Sequence, residues 1–395
     1  MSSDKKLLSD FATVISGYAF KSEWFGTGND KVIRIGDLQQ GSIQTEAALT
    51  VDASQYKISD NFKIQNKDIL MALSGATVGK IAVASGADVG SYINQRVAII
   101  RAKDEITADY LKFFFSGEFL DDLLKNAGGA AQPNLSPKQL LFMEIPFPPL
   151  EEQRRIASIL DQADELRQKR QQAIEKLDQL LQATFIDMFG DPVSNPNNYE
   201  QIELDNFILV GPQNGLYKPA NMYGRGTPIV RIDGFKSGDI IDNKEFKRLS
   251  LEESDIEKYK LNKFDLVINR VNSPEYIGKT ALIRNLEEST VFESNMMRFA
   301  VDTSKLDTYY LLSFLKQQFV LNQIANKRKD AVNQSSINQQ DVKSLIINVP
   351  PIELQTKFSN FFQKVEKNRN LSNQQALNFD NLFKALQNQA FNGTL

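Results

Sequence analysis

The chain has 395 residues, 42% of them hydrophobic, which is enough for two or three domains with cores of their own. It contains no cysteine and no histidine, which excludes disulfides, thiolate metal sites and every catalytic arrangement built on an imidazole. With 46 Lys and Arg against 49 Asp and Glu the net charge is −3, so contact with nucleic acid must come from local patches or be shared with a partner. No apolar run is long enough to cross a bilayer, and the polar start Met1-Ser2-Ser3-Asp4-Lys5-Lys6 is unlike a signal peptide, so the expectation is a cytoplasmic protein with no membrane contact.

In chain order, short alternating β-branched segments come first: Lys31–Ile35, Asp68–Ala72, Lys80–Ala84 and Arg96–Arg101 read as strands. A helix is expected over Ala108–Lys125, with Tyr110, Leu111, Phe114 and Leu120 on one face. A Gly/Asn loop, Asn126–Pro133, follows, then a short helix and strand up to Pro146. After Pro148-Pro149 the pattern changes to a long helix with a coiled-coil-like seam at Ile156, Ile159, Ala163, Leu166, Ala173, Leu177 and Leu180. Gly190-Asp191-Pro192 ends it.

The whole pattern then recurs. Val32-Ile33-Arg34-Ile35-Gly36-Asp37-Leu38 matches Ile229-Val230-Arg231-Ile232-Asp233-Gly234-Phe235, 197 positions later (231 − 34). Phe62–Leu70 matches Tyr259–Val267 at the same offset, and Gly79-Lys80 matches Gly278-Lys279 at 199 (279 − 80). Pro148-Pro149-Leu150-Glu151-Glu152-Gln153 matches Pro350-Pro351-Ile352-Glu353-Leu354-Gln355 at 202 (355 − 153). The second long helix has Phe358, Phe361, Val365, Phe379, Leu382 and Leu386 as its seam. The expected domains are therefore 1–149, a recognition unit; 150–190, a long helix; 191–350, a second unit; and 351–395, a second long helix. The fold class is α+β: two similar α/β units in tandem, separated by two long helices that form an antiparallel coiled coil.

Signs of catalysis are weak. Gly75-Ala76-Thr77-Val78-Gly79-Lys80 has one residue too few between its glycines for a phosphate loop, and Ile81 stands where Ser or Thr is needed. Asp239, Glu245 and Lys247 fit a loose nuclease spacing that the first half lacks, and read as a solvated loop. No Asn/Asp-Pro-Pro-aromatic segment for methyl transfer to a base is present. The loops instead offer side chains suited to base edges and phosphates: Lys21, Ser74, Thr77, Lys80, Gln95 and Arg96 in the first half. The second half offers Tyr217, Lys218, Arg225, Asn269, Arg270, Asn272, Lys279, Arg328 and Lys329. The two loop sets differ while the framework repeats, which points to two similar modules with different targets.

The strand Val32–Leu38, then Ser74–Lys80, Asn94-Gln95-Arg96, Gln132-Pro133-Asn134-Leu135-Ser136, Ile145–Gln153 and a long helix, all repeated, resembles the specificity subunit of type I restriction–modification systems. The closing Ala390-Phe391-Asn392-Gly393-Thr394-Leu395 is similar to that family's usual end, while Leu354 and Ser335 depart from its pattern in the second copy. The resemblance implies that each β-rich unit is a target recognition domain reading one half of a split site on double-stranded DNA, in a prokaryotic cytoplasm. It implies that the long helices are spacers and docking surfaces for two modification (methyltransferase) subunits, joined by restriction/translocase subunits. The helix starts, Leu150, Glu151, Gln153 and Ile156 with Ile352, Glu353, Gln355 and Phe358, are the expected partner contacts. It further implies a non-catalytic chain with no cofactor or metal of its own, S-adenosylmethionine, ATP and magnesium lying on the partners. The alternative from another class is a non-enzymatic coiled-coil scaffold with two protein- or glycan-binding heads.

Overall fold

The computed structural model describes residues 5–39, 41–117, 120, 134–236, 238–242, 245–331 and 334–395. The loop expected over 126–133 and the end of the helix expected to reach Lys125 lie outside them; the helix is seen over Glu105–Phe115. The chain divides into two compact units, Met1–Gln172 with Asn373–Leu395, and Ala173–Ser372. The division falls within the two long helices, Leu150–Phe189 and Ile352–Asn392, so each unit holds the beginning of one and the end of the other.

Both units are built on the same pair of sheets. In unit 1 the central sheet runs in the order Ala12–Ser16, Val97–Ala102, Ile69–Ala72, Ile81–Val83, all antiparallel. A second sheet pairs Asp30–Ile33 with Leu49–Val51 antiparallel and with Tyr92–Ile93 parallel. In unit 2 the same order recurs as Ile208–Asn214, Met296–Val301, Leu266–Asn269 and Thr280–Ile283, with Asp239–Ile241 added in parallel at the edge. Its second sheet joins Tyr223–Val230 to Lys247–Leu249 and, in parallel, to Val291–Phe292. Asp239 and Lys247 thus stand on strands rather than in one solvated loop, and Asp239 lies 3.8 Å from Arg369. The first strand of each central sheet, Ala12–Ser16 and Ile208–Asn214, has no counterpart among the segments read from sequence.

The repeated Lys-x-x-x-Lys/Phe-Asp segment has a packing reason. Asp68 accepts from the Gln65 amide at 2.7 Å, closing the turn before its strand, and takes both Nε and Nη2 of Arg101 at 2.8 and 2.6 Å. Asp265 repeats this with the Asn262 amide at 2.8 Å and Arg298 at 3.1 Å. Arg101 also donates to Lys63 O and Arg298 to Lys260 O, so one buried ion pair in each unit ties a turn to the centre of the sheet.

The long helices pair within each unit. In unit 1 Arg155 donates to Leu395 O at 2.8 Å and Arg167 Nε lies 2.7 Å from Asp380, so the two segments run in opposite directions. In unit 2 Arg369 reaches Asp178 at 3.3 Å, and the rings of Phe185 and Phe358 meet at 5.5 Å. The buried face keeps Ile156, Phe358 and Val365 of the expected seam and departs from it at other positions. Leu166, Leu180 and Leu382 are exposed, while Leu160, Ile174 and Phe383 are buried. Positions 160, 167, 174 and 181 recur every seven residues, with 156 and 185 four residues outside them, so one stripe stays on the packed side of the helix.

Candidate nucleic-acid interface

Three chain segments meet at one end of each central sheet, because the strand order places two strand ends beside one strand start. In unit 1 the chain leaves Ser16 as the next strand enters at Val97 and the third leaves at Ala72. The Gly17 amide donates to Val97 O and that of Gln95 to Tyr18 O, each at 2.9 Å. The Leu73 amide donates to Arg96 O, and that of Leu135 to Leu73 O, again at 2.9 Å. Unit 2 copies the set: Gly215 to Met296 O at 3.0 Å, Ser294 to Leu216 O at 2.9 Å, Arg270 to Asn295 O at 2.8 Å and Ile337 to Arg270 O at 2.9 Å. The approach is close enough to require glycine. A Cβ on Gly17 would stand 2.2 Å from Asn94 O, and one on Gly215 at 2.2 Å from Glu293 O.

In unit 1 this end gathers most of the expected contacts. Gln95 and Arg96 are exposed on the turn between two strands, and Thr77 is exposed on the loop that the Gly79 amide closes on Ala72 O. Ser74 and Lys80 stand at the two ends of that loop, half-buried. Lys21 is exposed, its Nζ 5.6 Å from the Trp24 ring, and Trp24 stacks on Tyr56 with centroids 3.9 Å apart.

In unit 2 the candidates divide. Tyr217 is 76% exposed and Arg225 is exposed on the strand Tyr223–Val230. The strands Lys329–Ala331 and Gln334–Ser336 form a ladder with Val271–Asn272, which brings exposed Lys329 beside the loop after Asn269. Arg328 is held by Asp330 at 3.0 Å, and Lys218 by Asp255 at 2.8 Å. Arg270 donates to Ser294 O at 3.0 Å, Asn272 accepts from the Ser273 amide at 2.8 Å, and Lys279 donates to Ile232 O at 3.1 Å with its Nζ 4.7 Å from the Phe235 ring. Burial raises the carboxyl of Glu293, which takes the Ile232 amide and faces Arg231 at 3.6 Å.

One expected base contact is corrected. Asn269 is fully buried, because it occupies the place of Ala72: its amide donates to Lys279 O as that of Ala72 does to Lys80 O. It is the last core residue of its strand, and its Nδ2 donates to Tyr276 O at 3.5 Å, so the side chain lies beneath the loop rather than exposed on it. Conversely, the candidates omit Arg34 and Arg231, although the 197-residue offset pairs them; in both, Nε is covered and has no hydrogen bond.

The expected partner contacts at the helix starts are corrected in half. Leu150 is 48% exposed, Glu151 and Glu353 are exposed and Ile352 is half-buried. Gln153, Ile156, Gln355 and Phe358 are instead buried inside their own units. Gln153 Nε2 donates to Pro148 O at 2.8 Å and its Oε1 accepts from Thr107 at 3.2 Å. Gln355 donates to Pro350 O at 2.7 Å and accepts from the Asp307 amide at 2.8 Å. Next to them Tyr110 donates to Pro146 O and Tyr310 to Asn348 O, both at 2.7 Å. The glutamine of the Pro-Pro segment therefore fastens the long helix to the short helix of its own unit, by carbonyls that proline-containing chain leaves free of ladder bonds.

Among the described residues no helix is long and apolar enough to cross a membrane, and no cluster of Asp or Glu is arranged to hold a metal ion. The family model for the type I restriction modification DNA specificity domain matches twice, over residues 3–176 and 196–378. The specificity subunit of the type I restriction enzyme EcoKI from Escherichia coli K12 is 25% identical, over 98% of this chain and 88% of that relative. The StySPI specificity subunit of Salmonella potsdam is 24% identical, over 89% and 79%. The crystal structure of the type I system S subunit from M. genitalium superposes with a TM-score of 0.56 at 14% identity, over 98% of this chain and 96% of that one, a likeness of fold. None of these matches favours the alternative of a scaffold with protein- or glycan-binding heads. With two copies of the model covering most of its length, on two units whose loops meet at the same end of the same sheet, the chain belongs to the type I restriction–modification DNA specificity family.

Proposed function

We infer that this chain is the DNA-reading subunit of a type I restriction–modification system and that each unit reads one half of a bipartite site. The observation that carries this is the pairing of a repeated framework with unlike loops. The backbone hydrogen bonds that assemble the loop end are the same in both units. The side chains they present are not: Ser74, Thr77, Gln95 and Arg96 in one, Tyr217, Arg225, Arg270 and Lys329 in the other. Arg and Gln on rigid turns suit bidentate contact with guanine and adenine edges, while Lys80 and Lys329 suit phosphates. The two long helices act as an antiparallel spacer between the half-sites.

Chemistry on DNA belongs, on this reading, to two modification subunits and to restriction/translocase subunits, with S-adenosylmethionine, ATP and magnesium bound there. The modification subunits dock on the exposed part of the helix starts, at Leu150, Glu151, Ile352 and Glu353. In unit 1 a groove of about 620 Å³ flanks that start, with Asp109, Lys112, Arg154, Asp161 and Glu165 on its walls. The place of work is the prokaryotic cytoplasm. The test is to map methylated bases in cells carrying the whole system, then to exchange residues 18–101 for the same region of a relative. One half-site changes and the other is kept; a change in both half-sites refutes the two-module reading.

A further inference from the structure

Arg34 and Arg231 occupy the same place in the two units. Each follows directly on a strand of the smaller sheet, Asp30–Ile33 or Tyr223–Val230. Each neighbours the turn that builds the loop end: the Asn94 amide donates to Ile33 O at 2.9 Å, and the Glu293 amide to Val230 O at 3.1 Å. Neither guanidinium makes a hydrogen bond among the described residues, and Nε of both is covered. The nearest carboxylates stand off at 3.6 Å, Asp37 from Arg34, and Asp233 and Glu293 from Arg231. The Arg231 guanidinium also lies 5.9 Å from the Tyr223 ring, a contact that leaves its N–H groups unspent. The side chains remain 42% and 30% exposed, so part of each faces outward.

A guanidinium held at the mouth of a site, half desolvated and with donors unused, costs stability unless something accepts from it. An internal role would use the adjacent carboxylates at hydrogen-bond distance, as Asp68 uses Arg101 at 2.6 Å. Here the carboxylates stand too far for that and serve to aim the side chain. The second clue is the duplication. Around these arginines the candidate base-reading residues differ between units, yet the arginine is the same. A residue that reads a base changes with the base, whereas a residue that grips a phosphate need not, since the backbone is the same at every site. A second cation stands near Arg231: Lys279 donates to Ile232 O, one residue away, and Lys80 matches Lys279 in the repeat.

We propose that Arg34 and Arg231 are a duplicated phosphate anchor, one per unit, that sets each module on the DNA backbone independently of sequence. The proposal rests on the reading of the chain as a DNA-specificity subunit and assigns two residues that this reading leaves without a role.

The test uses the full chain assembled with modification subunits, and two duplexes of equal length, one carrying the mapped methylation site and one with that site scrambled. Wild type must first prefer the mapped duplex; if it binds neither, the DNA reading itself fails, whatever the variants do. Arg34→Ala and Arg231→Ala are each expected to lower affinity for both duplexes by the same factor, roughly eightfold near 0.1 M salt, and to flatten the slope of log K against log salt by about 0.9. Arg34→Lys and Arg231→Lys keep a point charge and are expected to restore most of that slope. Melting curves of all four variants separate loss of binding from loss of folding, because the lysine variants are read against alanine variants at matched folded fraction. Relaxed preference at one base pair with an unchanged salt slope overturns the proposal in favour of base reading. Unchanged affinity for both duplexes overturns it in favour of a purely internal ion pair.

Discussion

Replacing Gln355 by Leu tests whether the glutamine of the Pro-Pro segment works inside the chain or on its surface. Leucine keeps about the same volume but has no amide, so the change isolates the hydrogen bonds. Gln355 bridges the Pro350 carbonyl at 2.7 Å and the Asp307 amide at 2.8 Å, and is itself fully buried. Both backbone groups lose a partner where water is excluded. At about 1–3 kcal/mol for each buried group left unsatisfied, the loss is roughly 2–6 kcal/mol. In a domain of about 150–250 residues that lowers the melting temperature by about 4–24 °C. Gln153→Leu should cost less, about 1–3 kcal/mol. Its Thr107 partner keeps a second acceptor in Asp104 at 2.8 Å, so only the Pro148 carbonyl is stranded. Glu353→Ala, at an exposed position of the same helix start, should stay within about 0.5 kcal/mol. Differential scanning calorimetry of the isolated chain gives the shifts, and recovery of modification subunits on an affinity resin gives docking. If Gln355→Leu left the melting profile in place while abolishing recovery of those subunits, the residue would be a docking contact and the burial argument would be wrong.

Further expectations follow from the same geometry. Asn269→Ala should leave DNA preference unchanged and lower stability by no more than about 1.5 kcal/mol, since its one side-chain hydrogen bond is the 3.5 Å contact of Nδ2 with Tyr276 O, Oδ1 is buried without a partner and alanine is what the first unit carries there; a new preference at one base pair would restore Asn269 to the interface. Burial raises the Asp307 carboxyl above its ordinary 3.8, although the Tyr309 and Tyr310 amides donate to it. The protonated form is thus favoured by folding. Its contribution is complete below that ordinary value and is lost as pH rises through the raised one. Stability of wild type relative to Asp307→Asn, followed by denaturant melts, should therefore rise on acidification from neutral pH; a relative fall would contradict the burial effect. A seven-residue insertion after Ala173, matched by seven after Gln375, preserves the seven-residue recurrence and adds about 10.5 Å to each helix. That is near three base-pair steps of about 3.4 Å. Methylation mapping should find the same half-sites with about three more unread base pairs between them, and an unchanged gap with activity retained would show that the helices do not set the distance.

The sequence by itself determined the duplication, the family and the side-chain types at each loop, because a repeat is visible as identity at a fixed offset without knowledge of any contact. It also determined that the Pro-Pro segments open long helices, since proline stops a ladder and suits a first helical turn. What only the tertiary structure decided was which polar residues are inside. Gln153 and Gln355 look like surface residues in a charged helix start, and their burial depends on Thr107 and Asp307, contributed by another helix and its cap. Asn269 looks like a loop residue beside Arg270, yet the register of its strand against Met296 puts it in the core where the first unit has alanine. Part of the helix seam was decided for a related reason. Periodicity fixes the spacing of a stripe, but where two adjacent residues such as Ile159 and Leu160 are both apolar, only the packed partner selects between them. The same holds for Arg34 and Arg231: the offset pairs them, and the fold shows that their donors are left unused at the mouth of the loops.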